Sequence, residues 1–283
     1  MENKQNIFEK HGVERHPELS RGYLSVSQIE KLHRCAKQYH YHYIENRSTF
    51  DGSPEIHYGS AVHAAIEKTH LQQIAGEEIS HEDSLAQAEA VLLAQFMEGR
   101  WDVETFEDLQ GSVMHGVRAS YHSWWKEFGA KIVPESTEKE FLKEIRGIPV
   151  LGYIDLLYRK EDGTRVVCDY KTSGRAKTQA FVDENLQLWT YALVEGISDV
   201  QIVTLVRPKG NMLKYDKDCI ATTKVVSSVV TSEKKFHTER IIADAANLLS
   251  AGVFPRCAPG GWHCSEKYCE FFEMCRGKDA EDV

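Results

Sequence analysis

The chain has no apolar run long enough to cross a bilayer, which excludes a membrane-spanning helix from its 283 residues. Its first residues, M-E-N-K-Q-N, lack the apolar stretch of a secretory signal. A cytoplasmic location without membrane contact is the expectation. An excess of positive charge is also missing: 34 Lys and Arg against 43 Asp and Glu give a formal net charge of -9. That argues against a protein that coats nucleic acid generally. It does not exclude an enzyme with a local basic track, because binding follows the local field rather than the sum. Neither an internal repeat nor an evident linker divides the chain, so one domain over 1–283 is expected, with ample length for a core. Disulfides are not expected of seven cysteines in such a chain. Four of the seven, Cys257, Cys264, Cys269 and Cys275, fall within the last 27 residues, and such a cluster points to metal ligation.

What is present centres on residues 152–171. Apolar β-formers flank the segment K-E-D-G-T at 160–164, a hairpin signal. Asp169 and Lys171 are two apart, so on a strand they share a face. An odd loop centred on Asp162 places Asp155 opposite Asp169, whereas a two-residue Asp-Gly turn pairs Asp155 with Tyr170. Only the odd loop, or a bulge, brings Asp155, Asp169 and Lys171 together. Two carboxylates and an ammonium on one sheet face suit a divalent cation with a charged group beside the attacking water. The competing reading is a surface hairpin with solvated charges. Cys168 and Tyr170 on either side of Asp169 count against that.

Residues 1–22 are polar and read as a loose arm. Ser25 or Ser27 caps a helix whose stripe is Ile29, Leu32, Ala36, Tyr39 and Tyr43, with Cys35 beside it. In the stretch Y-G-S-A-V-H-A-A-I-E at 58–67, Gly59 allows close approach, Ser60 can cap a helix, and His63 lies near the packing side formed by Val62, Ala65, Ile66 and Thr69. A lone histidine there is either a core residue or a ligand. Residues 71–130 read as a helical insertion. Ser80 caps one helix with Leu85, Ala88, Leu92 and Phe96. A second runs from about Glu104 with Phe106, Leu109, Val113, Val117, Tyr121, Trp124 and Phe128. At this spacing the aromatic stripe is core rather than a base-stacking platform. A half-buried strand is expected over 138–145, a helix over about 180–195, a buried strand over 200–206 and a helix over 231–250. Gln187 and Tyr191 are four apart and share a helix face. Lys171, Arg175, Lys177, Arg207, Lys209 and Lys214 cluster in sequence, either as a track for phosphates or as a solvated rim.

G-Y-I-D followed by D-Y-K-T resembles the motifs of the PD-(D/E)xK nuclease superfamily. The likeness is to its RecB-like branch, which includes the AddB nuclease domain and CRISPR-associated RecB-like exonucleases. Ile154 stands where the family name has Pro, and Asp169 where Glu is the other choice. Both variants fit the branch. The resemblance implies an α/β fold with a restriction-endonuclease-like core, a central mixed sheet flanked by helices. To this it adds the helical insertion and a Cys-rich cluster segment at 256–275. It implies that Asp155 and Asp169 hold Mg2+ or Mn2+, with Tyr170 contributing its carbonyl, while Lys171 orients or polarises the attacking water. Gly59 and His63 match G-x-x-x-H, whose histidine is a further metal ligand, and an imidazole suits manganese better than magnesium. Glu138 or Glu140 corresponds to a strand glutamate that faces the metal in the family; an exposed strand charge is the other reading. Gln187 and Tyr191 match Q-x-x-x-Y, which lies beside the active site and contacts the nucleic-acid strand. The helix with Cys35 and the tail with Cys264, Cys269, Cys275, Trp262 and Tyr268 resemble the segments that hold a [4Fe-4S] cluster on four cysteines. Trp262 and Tyr268 would shield it. Four residues, not the usual two, separate Cys264 from Cys269, and Cys257 completes a local set of four thiols suited to Zn2+ instead. The implied activity is metal-dependent DNA exonuclease action from free DNA ends, in recombination, repair or processing. The alternatives are a non-cutting DNA-end or partner-binding module and a zinc-stabilised interaction protein.

Overall fold

The computed structural model describes residues 6–47, 54–98 and 109–277. Helices are α1 (Asn6–His11), α2 (Val26–Arg34), α3 (Ala36–Tyr39), α4 (Pro54–Ala75), α5 (His81–Met97), α6 (Met114–Glu127), α7 (Gln179–Asp183), α8 (Leu186–Glu195), α9 (Ser232–Ser250) and α10 (Phe272–Arg276). Strands are β1 (Val133–Ile145), β2 (Ile148–Arg159), β3 (Arg165–Ser173), β4 (Asp199–Val206) and β5 (Thr222–Val229). They form one sheet in the order β1-β2-β3-β4-β5. β3 runs parallel to β4, and the β2–β3 and β4–β5 pairs are antiparallel. The parallel pair needs a crossover, and α7 and α8 supply it. The mixed sheet flanked by helices is the architecture expected from the sequence. No described helix is long and apolar enough to cross a membrane.

The chain forms two compact units, one of residues 51–139 and 153–235, the other of 1–50, 140–152 and 236–283. In the first, helices α4, α5 and α6 bury their apolar faces with one side of the sheet. Tyr58, Val62, Ala65 and Ile66 of α4 join Leu85, Ala88 and Leu92 of α5, Val117, Tyr121 and Trp124 of α6, and Cys168, Tyr170, Val203 and Leu205 of the strands. The aromatic stripe is therefore core, with Tyr121 and Trp124 fully buried. Phe96 packs at the edge of the cluster, and Ser80 caps α5 as its sequence suggests. Glu104 and Phe106 lie outside the described residues, and Leu109 opens a short π-helical turn before α6. The helix expected over 180–195 is two helices, because the Asn185 side chain accepts from Leu188 N–H and starts α8 afresh. β5 was not evident in the sequence. It is an edge strand on which only Thr223 is buried, so its pattern of Thr, Lys, Ser and Val is only weakly apolar.

In the second unit, residues 6–11 are helical rather than part of a loose arm. Phe8 is buried in a small cluster with Leu142 and Leu151, which gives this end of the chain an anchor. Arg146 and Gly147 link β1 to β2 with positive φ at both positions, the backbone of a two-residue hairpin turn. Ser25, not Ser27, caps α2, in a capping box with Gln28. The helical stripe breaks at Cys35, whose backbone is extended, and resumes in α3 before a π-helical turn at His40–Ile44. The wider turn brings Tyr41 rather than Tyr43 into the core.

Candidate active site

The hairpin register decides what meets. Pairing runs from Arg159↔Arg165 to Leu156↔Cys168, so the loop has five residues centred on Asp162. The next positions along the two strands are Asp155 and Asp169. Alternation along β3 sends Cys168 and Tyr170 into the core, where Tyr170 OH meets His70 Nε2 at 2.8 Å. Asp169 and Lys171 take the opposite face. Asp169 is only 1% exposed. Its Oδ1 accepts from Lys171 Nζ at 3.0 Å, and its Oδ2 lies 2.8 Å from the same ammonium. That Oδ2 nevertheless accepts no well-aligned hydrogen bond and is fully buried. Tyr170 N–H donates to Asp155 Oδ2 at 2.7 Å, which fixes the second carboxylate by a backbone bond across the hairpin.

Helix α4 delivers the imidazole. A side chain at Gly59 would place its Cβ 2.9 Å from Thr172 Oγ1 and force that hydroxyl aside, so glycine lets the helix settle on β3 with Thr172 in place. One turn later His63 Nδ1 stands 3.9 Å from Asp155 Oδ2. Ser60 is not a cap: α4 begins at Pro54, and the Ser60 hydroxyl donates back to the Ile56 carbonyl. Of the two candidate glutamates on β1, Glu138 and Glu140, it is Glu138 that joins the site, with a φ of 45° that is unusual for a non-glycine residue. Glu140 is engaged instead by Lys10 at 2.7 Å and His11 at 3.0 Å. His63, Glu138 and Asp155 offer ligand atoms that all lie within 4.8 Å of one another. Asp169 stands outside that trio.

The electrostatics fit a cation. Burial first, then Asp155, Glu67 and Asp169, push the Glu138 carboxyl up to about 7. Burial and the Asp155 charge push Asp169 up to about 6, against the pull of Lys171 and His63. Asp155 is raised by burial and partly relieved by the Tyr170 amide and Lys171. Burial lowers His63, which favours the neutral imidazole, while Asp169 and a hydrogen bond to the Tyr170 backbone oppose the shift. Three crowded carboxyls, one of them with a buried oxygen that faces an ammonium without a well-aligned hydrogen bond, and a neutral imidazole make a donor set that suits a divalent ion.

Lys171 Nζ also donates to Gln187 Oε1 at 3.0 Å, and Gln187 Nε2 donates to Tyr191 OH at 2.8 Å. The ammonium orients the amide: it can only donate, so the Gln187 oxygen must face it, which turns the amide nitrogen toward the phenol. The pair from α8 thus grips the site lysine, a role the spacing alone does not reveal.

A second cluster lies in the other unit. Cys35, Cys257, Cys264, Cys269 and Cys275 line one cavity with Tyr41, His263, Phe271 and Arg276. All five are free, half-buried thiols. Burial and hydrogen bonds with Cys35 and Cys264 push the Cys257 thiol up to about 12. Trp262 and Tyr268 do not form a shield: they are 66% and 53% exposed and pack edge-to-face on each other. Tyr41 and Phe271, both buried, take that place.

A family model of the PD-(D/E)XK nuclease superfamily matches residues 23–276. Among solved structures, the chain is similar to a protein from Eubacterium rectale at 14% identity, covering 84% of this chain and 86% of that one, with a TM-score of 0.46. It is similar to a phage-related exonuclease from Haemophilus somnus 129PT at 16% identity, covering 68% and 92%, with a TM-score of 0.30. The protein SSO0001 is similar at 17% identity, covering 77% and 85%, with a TM-score of 0.34. A search of curated proteins finds no match.

Proposed function

Because the chain belongs to the PD-(D/E)XK nuclease superfamily, which its match over residues 23–276 establishes, we propose that it is a metal-dependent DNA exonuclease acting from free ends. The observation that carries this reading is the grip on Lys171: its ammonium lies 3.0 Å from Asp169 Oδ1 and 3.0 Å from Gln187 Oε1, next to the carboxylate cluster. A lysine held by a buried carboxylate and an amide stands fixed beside the carboxylate cluster, where its ammonium can meet a phosphate oxygen or an attacking water. Asp155, Asp169 and His63 would hold Mg2+ or Mn2+, with the Tyr170 carbonyl and Glu138 as further ligands. The ion would supply Lewis acidity to the scissile phosphate and lower the pKa of the attacking water.

The chain's own groups do the rest. Lys171 orients the water or stabilises charge developing on the phosphate, a task for a pre-placed donor. Gln187 and Tyr191 keep that donor aimed. The Tyr170 amide keeps Asp155 from turning away. DNA as substrate, free ends as its feature, and a place in recombination, repair or processing rest on the RecB-like motif order, from Cys35 through His63, Asp155, Asp169, Lys171, Gln187 and Tyr191 to Cys275.

In the other unit, Cys35, Cys264, Cys269 and Cys275 are proposed to hold a [4Fe-4S] cluster, supported by their meeting in one cavity. The contact of Cys257 with Cys35 and Cys264 favours a second reading, a zinc site that includes Cys257.

The deciding experiment is hydrolysis of linear DNA with Mn2+ or Mg2+, with covalently closed circles as control and Lys171→Ala in parallel. Nucleotide release from linear DNA alone, lost in the variant, is the expected result. Equal cutting of circles overturns the exonuclease reading. Folded wild-type protein that binds DNA and metal without cutting makes it an end-binding module.

A further inference from the structure

We infer that Arg207, with Lys209 beside it, is a clamp for a backbone phosphate of the DNA strand, and that Glu55 holds the Arg207 guanidinium in reserve until the strand displaces it. The inference rests on the nuclease reading above and adds where the strand passes. Parallel pairing of β3 and β4 sets Lys171 opposite Thr204 and Ser173 opposite Val206. Gly174 and Arg207 are the next residues, and Arg207 N–H donates to the Ser173 carbonyl at 2.9 Å. They therefore lie at the carboxyl end of the parallel strands, where open α/β sheets take their ligands. Three residues of extended chain separate Lys171 from Gly174, about 10 Å. That is a short step along a nucleic-acid backbone.

Two open clefts, of about 520 and 470 Å³, meet there, and both are walled by Gly174, Arg207, Pro208 and Lys209. The segment Arg207–Lys209 is thus the ridge a strand would cross between them. Gly174 lies directly beside the guanidinium: a Cβ there would sit in ordinary contact with Arg207 Nη2, at 3.7 Å. Lys209 is exposed and has no carboxylate partner among the described residues. Arg207 Nη1 lies 3.3 Å from Glu55 Oε1, with side chains 19% and 55% exposed. An ion pair with so wet a carboxylate contributes little to stability, so holding the fold together does not explain it. Glu55 sits in the first turn of α4, where the helix dipole favours an anion. A phosphate oxygen replacing Glu55 would meet the same cation and the same dipole with a bidentate partner available.

The test is binding of a fluorescent single strand and of a duplex to the full chain in EDTA, followed by anisotropy from low to moderate salt. Arg207→Ala is expected to weaken binding roughly tenfold and to reduce the salt slope by about 1. Arg207→Lys should keep the slope. Glu55→Gln should tighten binding a few-fold, and that gain should vanish in the Glu55→Gln, Arg207→Ala double variant. Thermal melts check that each variant is folded. Wild-type affinity and slope in folded Arg207→Ala overturn the clamp while leaving the nuclease reading standing. An effect of Glu55→Gln that persists without Arg207 overturns the reserve role. A wild-type chain with no affinity for either strand form overturns the clamp, while the hydrolysis assay above decides the nuclease reading separately.

Discussion

The carboxylate site and the thiol site are built on opposite principles. Every carboxylate of the first lies on a strand, and its imidazole on a 22-residue helix. Register and pleat alone bring Asp155, Asp169 and Lys171 together, with a backbone hydrogen bond to hold one of them. Of the thiols, only Cys275 lies within a helix, and that helix has five residues. Cys35 occupies an extended break between two helices, and Cys257, Cys264 and Cys269 lie in turns and irregular chain. The first site is preorganised by the sheet, and its cost is crowded charge. The second has little local structure of its own, so a bound metal would act there as a cross-link. A ligand removed from the first should therefore cost activity, and from the second, stability.

The largest effect tests that division. Asp155→Ala or Asp169→Ala is expected to lower metal-dependent hydrolysis by roughly 10³-fold or more, since no neighbour replaces the lost group. Circular dichroism melts of both variants should stay cooperative, with metal-free midpoints at neutral pH no lower than wild type, because a crowded charge has been removed. Full activity in either variant, free of contaminating nuclease, sinks the proposed site.

Cys35→Ala should do the reverse. It is expected to lose the proposed cluster, and with it the brown colour and visible band of anaerobically purified protein. The thermal midpoint should drop, and activity per folded molecule should change little. Iron and sulfide analysis beside a melt checks it. A variant that keeps iron and stability breaks the comparison, because the thiol site would not then depend on its N-terminal member.

The same contrast explains how much was legible in the sequence. Strand periodicity of two put Asp169 and Lys171 on one face, but Asp155 joined them only if the odd loop was chosen over an Asp-Gly turn. Five residues between Arg159 and Arg165 settle it. Trp124 and Tyr121 could be assigned to the core from helical spacing. Glu138 could not be separated from Glu140 by pattern, because both share a strand face. The choice is made by Lys10 and His11 engaging Glu140 and by an unusual φ at Glu138. The grip of Gln187 on Lys171 was hidden for a similar reason: spacing gives a shared helix face but not what that face touches. Trp262 and Tyr268 were read as a shield because aromatic residues beside cysteines suggest one, whereas in irregular chain no period says which way a ring points.

Charge crowding gives the next effect in size. Asp169, raised to about 6, and Glu138, raised to about 7, keep protons in the folded state that the unfolded chain releases near 4. Between these limits the folded state binds more protons, so metal-free stability should fall as pH rises from about 4 to about 7. For Asp169 alone the change is on the order of 3 kcal/mol. Mn2+ binds the ionised form, so added Mn2+ should flatten or reverse the trend. Urea melts at several pH values with EDTA or Mn2+ measure it. Stability that rises with pH in EDTA would show that the carboxylates are already neutralised by the fold.

Gln187→Ala should act more mildly, through Lys171 rather than on the substrate. We expect a loss of about 10- to 100-fold in kcat, the size typical of a residue that orients a site ligand. KM should change little. Gln187→Glu restores an acceptor and should recover part of the rate. If KM rises instead and kcat holds, Gln187 acts on the strand and not on the lysine.

The smallest effect is expected at the fifth thiol. Cys257 touches Cys35 and Cys264, and Arg276 donates to its backbone carbonyl at 2.6 Å. Its neighbours thus hold it at the cavity whether or not it ligates a metal. Partial burial and its two thiol neighbours favour its protonated form, and an S–H against two cluster-bound sulfurs would be a donor rather than a competitor. With a [4Fe-4S] cluster on the other four cysteines, Cys257→Ala should keep iron, sulfide and colour. Only the reduction potential should move, downward, because a hydrogen bond to the ligand sulfurs has been removed. With zinc the outcome inverts: metal analysis finds one zinc and no iron, Cys257→Ala loses it, and Cys35→Ala retains it. The two single variants and one elemental analysis separate the readings, because no arrangement of four ligands among five thiols makes both Cys35 and Cys257 dispensable.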